Sequence, residues 1–368
     1  MENLNLNQKV IAWLNSARGI SNRKIEKLIE YFDGSTKNLW DNFESEKNNL
    51  TILKPEIIAF LIKTKCSFEE KFIKRLNQEN ASIITIFDNA YPKKLKQCSG
   101  APYILYYKGS IEKIDDFSIA VVGSRKATAY GKWAAEKFTK DLAELEVNII
   151  SGLAAGIDAV AHKTALKSNT NTFGVIGCGI DKIYPMSNER LYSEISEKGG
   201  AVITEYPFGM QPLPNNFYGR NRIISGLSDG VLVIEAQTKS GTLITAGHAA
   251  NQGREVFAIP GNINSLYSKG TNALIKDGAK ITVSVYDILE EFPKLKEKLK
   301  KKNKFVDCIH FTNEEKKIIE CIKQGTENLY EINTKTGIEA GKLLSFMTVL
   351  EMKGAVKQIQ GSKFVLNI

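Results

Sequence analysis

The chain has 368 residues, 43% of them hydrophobic and 25% charged, which gives room for two or three folded units and excludes extended disorder or a fibrous repeat. Its net charge of +9 favours polyanionic partners, although residues 119–292 are neutral, with 17 basic and 17 acidic side chains. Five scattered cysteines and three dispersed histidines exclude a disulfide framework and a zinc site. The sequence shows no signal peptide and no apolar run approaching about 18 residues. We therefore expect a cytoplasmic protein without a membrane partner, metal or cofactor.

The first part of the chain predicts a small all-α domain, which we place at residues 1–90. Apolar residues at helical spacing flank a turn at Gly19, and Ile25, Leu28 and Ile29 form one face of the second helix. A helix-hairpin-helix-like segment of this kind can present amide groups to a DNA phosphate, or it can simply pack a helical domain. The spacing alone favours packing.

From residue 118 the pattern changes to short strands rich in Val and Ile that alternate with amphipathic helices. The strands are expected at Ser118–Val122, Asn148–Ser151, 172–176, 201–205, 230–235 and 256–259, with a late one at 281–285. Continuous apolar strands are buried on both faces, which indicates a parallel, doubly wound sheet. We predict an α/β fold with a Rossmann-like, mostly parallel core over residues 91–292.

The last part of the chain predicts a basic linker at 293–310 and a winged-helix domain at 311–368. The lysine-rich run 294–304 is most simply a solvated connection. Three helices at 313–322, 329–334 and 340–352 precede two strands joined by a turn at Gly361 and Ser362. The third helix is mainly apolar, with Lys342 as its cation and Lys353 just beyond it. It suits partner binding or regulation at least as well as DNA reading.

Two loops that follow strands carry residue types that bind anions. They contribute Gly123, Ser124 and Arg125 after the first core strand, and Lys239, Ser240, Gly241 and Thr242 after the fifth. The carboxyl ends of parallel strands meet at one edge of a sheet, where amides, hydroxyls and cations can hold phosphates. The first loop is not Gly-x-Gly-x-x-Gly and no acidic residue closes the second strand, so dinucleotide binding is not expected. Two such loops suit successive phosphates of a polymer.

The segment after the fourth strand interleaves aromatic residues with Arg and Asn, in what the sequence presents as a Pro-rich loop. Phe217 supplies a stacking face, and Arg220, Asn221 and Arg222 supply cations and hydrogen bonds. This composition suits single-stranded nucleic acid. The alternative is that Phe217 and Tyr218 cover the core while the arginines pair with carboxylates. The residues alone leave both interpretations open.

Small residues at 151–158 and 177–181 allow close approach of the backbone to a ligand or to a neighbouring helix. Asp158 can cap the helix that contains His162 or act as a general base. Because no second carboxylate or nucleophile is paired with Asp158, capping is favoured.

The motifs at 119–125, 151–158, 177–181, 217–226, 240–246 and 257–262, taken in order, resemble the bacterial DNA-processing protein A family (DprA, also called Smf). The resemblance covers about residues 92–291 and implies a non-catalytic protein that binds and protects single-stranded DNA. It further implies that the protein helps to load RecA recombinase during natural transformation and DNA recombination, as a homodimer formed through the Rossmann-like domain. The family's DNA pocket falls on Ser124 and Arg125, on Phe217 with 220–222, and on 239–242.

Two other function classes compete with this one. Nucleotide phosphoribohydrolases have a related fold with a Gly-Gly-x-Gly-Thr-x-x-Glu loop, but aligning Gly241 and Thr242 with it puts Thr245 at the glutamate. A regulator that binds double-stranded DNA through the winged helix is disfavoured by that helix's apolar character.

Overall fold

The computed structural model describes residues 3–293, 295–296, 311–352, 355–359 and 363–366. The chain divides into two compact units, Met1–Phe292 and Pro293–Ile368. Most of the lysine-rich run, and the turn expected at Gly361 and Ser362, lie outside the described residues.

Within the described part of the first unit, nine strands form one sheet. They are β1 (Ser82–Thr85), β2 (Ile104–Gly109), β3 (Ser118–Val122), β4 (Asn148–Ser151), β5 (Thr172–Val175), β6 (Ala201–Thr204), β7 (Gly230–Val233), β8 (Glu255–Ala258) and β9 (Lys280–Ile281). Their order is β1-β2-β6-β5-β4-β3-β7-β8-β9, with β3 to β9 parallel and β1 and β2 antiparallel additions at one edge. The sheet confirms the predicted α/β, mostly parallel, Rossmann-like core.

The expected strand at 281–285 is wrong in extent, because β9 ends at Ile281 and a helix begins at Val285. A capping box explains the difference. Asp287 Oδ2 accepts from the backbone amides of Val283 and Ser284, each at 2.8 Å, which satisfies amide groups that a strand would have paired. The sheet therefore ends in a strand of two residues.

Helices cover both faces of the sheet. Those of the core are α6 (Lys93–Lys96), α7 (Ala129–Ala143), α8 (Ile157–Lys167), α9 (Glu189–Glu197), α10 (Pro214–Leu227), α11 (Gly241–Asn251), α12 (Lys269–Lys276) and α13 (Val285–Glu291). The crossovers through α7, α8 and α9 step away from β3 in one direction, and the crossover through α11 steps in the other. Because parallel crossovers are right-handed, the two groups of helices lie on opposite faces.

The N-terminal helices pack directly on the sheet. They are α1 (Leu6–Ser16), α2 (Asn22–Tyr31), α3 (Thr36–Asn42), α4 (Pro55–Lys65) and α5 (Phe68–Gln78). The predicted face of α2, formed by Ile25, Leu28 and Ile29, is buried, as packing requires. These side chains belong to one hydrophobic cluster that also contains Leu153 and Val202 of the core. The helical segment and the sheet thus share a core, and both fall in one compact unit.

The second unit contains three helices and an antiparallel pair of strands in its described residues. These are α14 (Asn313–Lys323), α15 (Leu329–Thr336), α16 (Ala340–Met352), β10 (Val356–Ile359) and β11 (Lys363–Leu366). Ile318, Ile332, Met347 and Phe364 meet in its hydrophobic core. The order of elements is the one expected of a winged helix, which remains the sequence's prediction for this unit. Leu344 of α16 is exposed.

Candidate nucleic-acid site

The central strand β3 marks the point at which the winding of the sheet reverses. The chain leaves β3 towards β4 and leaves β7 towards β8, so the loops after β3 and β7 diverge and leave a crevice between them. Crevices of this kind, at the carboxyl ends of strands, are the usual ligand sites of open parallel sheets. Here the crevice holds a cavity of about 560 Å³. Its walls come from the loops after β3, β4, β5 and β7 and from α10 and α11.

The cavity brings together most of the residues predicted from the sequence. Gly123, Ser124, Arg125, Phe217, Arg220, Asn221, Ser240, Gly241 and Thr242 line it, joined by residues that the sequence did not single out, such as Lys126, Tyr184 and Gln237. Of the predicted DNA-contacting residues, only Arg222 and Lys239 do not line it. Lys239 is exposed in the loop beside Ser240.

The segment predicted as a Pro-rich loop is mostly the helix α10, which corrects the sequence interpretation. Pro214 occupies the first helical turn, where its missing N–H costs nothing. Phe217, Arg220, Asn221 and Ile224 all line the cavity, because residues spaced by three and four lie on one helical face. Arg222 lies on a different face of the helix for the same reason.

Arg222 is held by a carboxylate outside the cavity. Its Nη2 donates to Glu205 Oε2 at 2.6 Å, and the same oxygen accepts from Asn22 Nδ2 at 2.6 Å. The pairing links α10 to the N-terminal helices. The structure therefore places Arg222, which the sequence assigns to the DNA pocket, outside the cavity, and the alternative of arginine–carboxylate pairing holds for Arg222.

Phe217 sits among two guanidinium groups and a second ring. The Arg125 and Arg220 guanidinium carbons lie 5.2 and 5.8 Å from its ring centroid, within the range of cation–π attraction. The Tyr184 ring lies 5.4 Å away at an interplanar angle of 40°. The inner edge of Phe217 rests on the backbone at Gly177, where an added Cβ would lie 2.8 Å from Cδ1. The ring is half-buried, so part of it faces the cavity.

Arg220 forms the floor of the cavity and is only 4% exposed. Its Nη1 donates to the carbonyl oxygens of Gly152, at 2.6 Å, and Val175, and its Nε donates to Asn221 Oδ1 at 3.1 Å. Burial lowers the pKa of Arg220, and the charge of nearby Asp158 opposes that shift. With its Nη1 and Nε groups used internally, Arg220 fixes α10 against the ends of β4 and β5 and supports the Phe217 ring.

Asp158 is the buried carboxylate that balances this cation. Its Oδ2 accepts from the amides of Gly152, at 3.1 Å, and Ala154, at 3.4 Å, so it holds the loop before α8. Burial raises the pKa of Asp158, while the Arg220 charge opposes that shift. On the same helix, His162 is fully buried and burial lowers its pKa to about 3, so it is neutral.

The N-terminus of α7 is occupied by a carboxylate from the loop after β7. Glu235, which is 3% exposed, accepts from the Thr128 amide at 3.0 Å and from the Thr128 hydroxyl. Gly131 is needed there, because an added Cβ would lie 2.3 Å from Glu235 Cδ. In nucleotide-binding members of this fold class, the corresponding helix end receives a phosphate. The Thr128 amide at this helix end is thus already partnered, and the first anion loop lines the cavity with Gly123, Ser124 and Arg125.

The N-terminus of α11, in contrast, opens into the cavity without a carboxylate partner from the described residues. Ser240 caps the helix, since its Oγ accepts from the Thr242 amide at 3.2 Å. Gly241 and Thr242 line the cavity, and the Gly241 carbonyl accepts from Asn221 Nδ2 at 3.2 Å. A helix N-terminus favours negative charge. With exposed Arg125 and Lys126 opposite it, this side of the cavity suits an anion.

Comparison with known proteins identifies the family of the chain. The family model described as DNA recombination-mediator protein A matches residues 82–293, more than half of the chain. The chain belongs to the DNA recombination-mediator protein A family. All cavity-lining residues fall inside the region that the family model matches.

Two curated members of the family illustrate the similarity. The chain is 44% identical over 228 residues to protein Smf of Escherichia coli (strain K12), a match that covers 61% of this chain and 61% of that protein. It is 45% identical over 208 residues to DNA processing protein DprA of Streptococcus pneumoniae (strain ATCC BAA-255 / R6), covering 56% of this chain and 73% of the relative. The match to the Escherichia coli member thus spans less than two thirds of that protein's length.

Two solved structures of family members resemble the fold. DNA processing protein A from Streptococcus pneumoniae has a TM-score of 0.66 and 35% identity, covering 79% of this chain and 99% of the other. The Helicobacter pylori protein, described with a single-stranded DNA binding mode, has a TM-score of 0.53 and 30% identity, covering 58% of this chain and 96% of the other.

Within the described residues no helix is long and apolar enough to span a bilayer, and no acidic, His or Cys cluster could hold a metal.

Proposed function

We propose that the protein binds and protects single-stranded DNA at the cavity between the loops after β3 and β7, without catalysing a reaction. The observation that carries this proposal is the half-buried Phe217 ring, which lies close to two guanidinium groups and lines the same cavity as the open N-terminus of α11. A ring supplies a stacking face for any base, and cations and amides supply phosphate contacts. The single-stranded DNA binding mode of the Helicobacter pylori relative supports the same function.

The distribution of charge supports a polymer rather than a mononucleotide. Glu235 already fills the helix end at which this fold class usually holds a nucleotide phosphate. The remaining cationic groups, Arg125 and Lys126, are exposed at the mouth of the cavity, where a backbone can run across them. Thr245 is buried in the cavity wall at the position where related phosphoribohydrolases carry glutamate, which supports a non-catalytic role.

We further propose that the protein loads RecA recombinase onto the bound strand in the cytoplasm, during natural transformation and recombination. This part rests on membership of a family described as recombination mediators. The test is RecA ATP hydrolysis on single-stranded DNA coated with a single-strand-binding protein. We expect the full chain to relieve the inhibition by that coat and Phe217→Ala to do so less. Equal hydrolysis with and without the protein contradicts the proposal.

A homodimer through the Rossmann-like core is the proposed working form. The β9 end of the sheet is only two residues long, and apolar side chains are exposed on the segments around it. These are Ile263, Leu266, Ile281, Val283 and Tyr286, of which Ile263 is 90% exposed. Exposed apolar groups at a sheet edge are typical of interfaces. Sedimentation should show a dimer that Leu266→Lys with Val283→Lys converts to a monomer; an unchanged sedimentation coefficient contradicts this surface.

A further inference from the structure

Tyr184, which the sequence interpretation did not single out, lies at the mouth of the cavity. It belongs to the loop after β5, and its side chain is among those that line the cavity. Tyr184 is 43% exposed although its ring contacts Phe217, with centroids 5.4 Å apart. A tyrosine that only filled the core would bury its ring and pair its hydroxyl. Tyr184 instead presents an aromatic surface to solvent beside the proposed stacking ring.

The backbone of Tyr184 is fixed from below. Tyr192 of α9 is buried, and its hydroxyl donates to the Tyr184 carbonyl at 3.0 Å. The Tyr192 hydroxyl oxygen also lies 3.5 Å from the Tyr184 backbone nitrogen. These contacts hold the main chain and leave the ring out of the core. Because the backbone that carries the ring is held before any ligand arrives, a base that stacks on the ring would order only its side chain.

Phe217 by itself offers a limited open surface. Arg125 and Arg220 lie near its ring, and Gly177 touches its inner edge. The ring therefore serves one base at most. The Arg125 guanidinium carbon lies 5.2 Å and the Tyr184 ring centroid 5.4 Å from the Phe217 ring centroid, so Arg125 and Tyr184 both flank this ring. A strand that crosses the mouth of the cavity passes both.

We propose that Tyr184 is a second base-stacking residue, so that the site takes two successive bases, one on Phe217 and the next on Tyr184. The inference rests on the proposed single-stranded DNA function and deepens it. It makes Tyr184 a base-dependent contact that adds affinity without adding a phosphate contact. The Tyr184 contribution is then independent of salt, unlike that of a cation.

The test uses the full chain and fluorescence anisotropy with two labelled probes, an oligothymidylate and the same backbone with abasic sites. Tyr184→Leu should weaken oligothymidylate binding by about tenfold, within the range for loss of one stacked base, and change abasic binding by less than about twofold. Tyr184→Phe should retain wild-type affinity, and the slope against salt should stay the same for all variants. Tyr130→Leu is the matched control, because Tyr130 is an exposed, stacked ring that does not line the cavity.

The outcomes test the Tyr184 proposal and the proposed DNA-binding function separately. Wild-type affinity of Tyr184→Leu, or an equal loss on both probes, overturns the second platform while leaving the Phe217 site intact. A fall in the unfolding midpoint would not mimic the result, since misfolding weakens both probes alike. As an independent measurement, Tyr184→Trp should show fluorescence quenching on the base-containing probe and none on the abasic probe; equal quenching also overturns the inference. If the wild type binds neither probe, the proposed function itself fails.

Discussion

Replacement of Phe217 by alanine separates a ligand-stacking role from a packing role. The ring is half-buried and touches Arg125, Arg220, Tyr184 and the Gly177 backbone. A fully buried Phe→Ala change costs about 3–5 kcal/mol of stability. Because part of this ring already faces solvent, we expect about 2 kcal/mol, which lowers the unfolding midpoint by about 4 °C in a unit of this size. A side chain that only packed would show no further effect.

The same substitution should also weaken DNA binding. Stacking of one base is worth about 1–3 kcal/mol, so the dissociation constant for single-stranded DNA should rise about 5- to 150-fold. The assay is anisotropy with a labelled oligothymidylate, paired with thermal unfolding of the same samples. Phe173→Ala is the packing control, because Phe173 is fully buried in the sheet and does not line the cavity.

Phe173→Ala should therefore mainly reduce stability, and Phe217→Ala should mainly reduce affinity for DNA. Phe173→Ala should lower the midpoint more than Phe217→Ala and leave the affinity of the folded protein unchanged. If Phe217→Ala instead lowers the midpoint as much as Phe173→Ala and binds DNA like the wild type, the ring is a core residue and the stacking argument is refuted.

Three further predictions follow from the charges and the cavity wall. Arg125→Ala should reduce the slope of log affinity against log salt by about 0.7, whereas Arg222→Ala should lower the unfolding midpoint and keep the slope, because the partner of Arg222 is a carboxylate. Titrations at several salt concentrations distinguish the two variants, and equal slopes for wild type and Arg125→Ala would contradict the phosphate contact. The pKa of His162 is about 3 in the folded state and about 6.5 in the unfolded state, so its contribution to stability should be constant above pH 6.5 and should fall by up to about 1.4 kcal/mol per pH unit below it. His162→Asn should flatten that dependence in thermal unfolding between pH 7 and 4, and an unchanged profile would contradict the buried neutral imidazole. The protein should release no free base from nucleoside monophosphates, because Thr245 replaces the expected glutamate; release above a protein-free blank that Thr242→Ala abolishes would restore the enzyme interpretation.

The sheet could be predicted because its strands are buried on both faces. That environment produces short runs of Val and Ile, and β3 and β4 begin and end at the predicted residues. The loops after β3 and β7 could be predicted as ligand-binding for a related reason, since parallel strands present their carboxyl ends at one edge. Strand polarity and local composition were sufficient for both.

The remaining features depend on partners distant in sequence. The sequence does not indicate the helix α10, because Pro214, Gly219 and Gly226 obscure its helical spacing. The pairing of Arg222 with Glu205, and that of Thr128 with Glu235, joins residues whose separation along the chain carries no local pattern. Such contacts decide which predicted cations reach the cavity, and only the folded chain shows them.

The measurement that most directly tests the central claim is a salt-dependent binding titration of the full chain with single- and double-stranded DNA of the same length. Binding through stacking in the Phe217 cavity requires unpaired bases, so we expect a clear preference for the single strand that persists as salt is raised. Affinity for both forms should decline with salt, since phosphate contacts contribute to each. Equal affinity for the two forms at all salt concentrations, or a preference for the duplex, would contradict the proposed function.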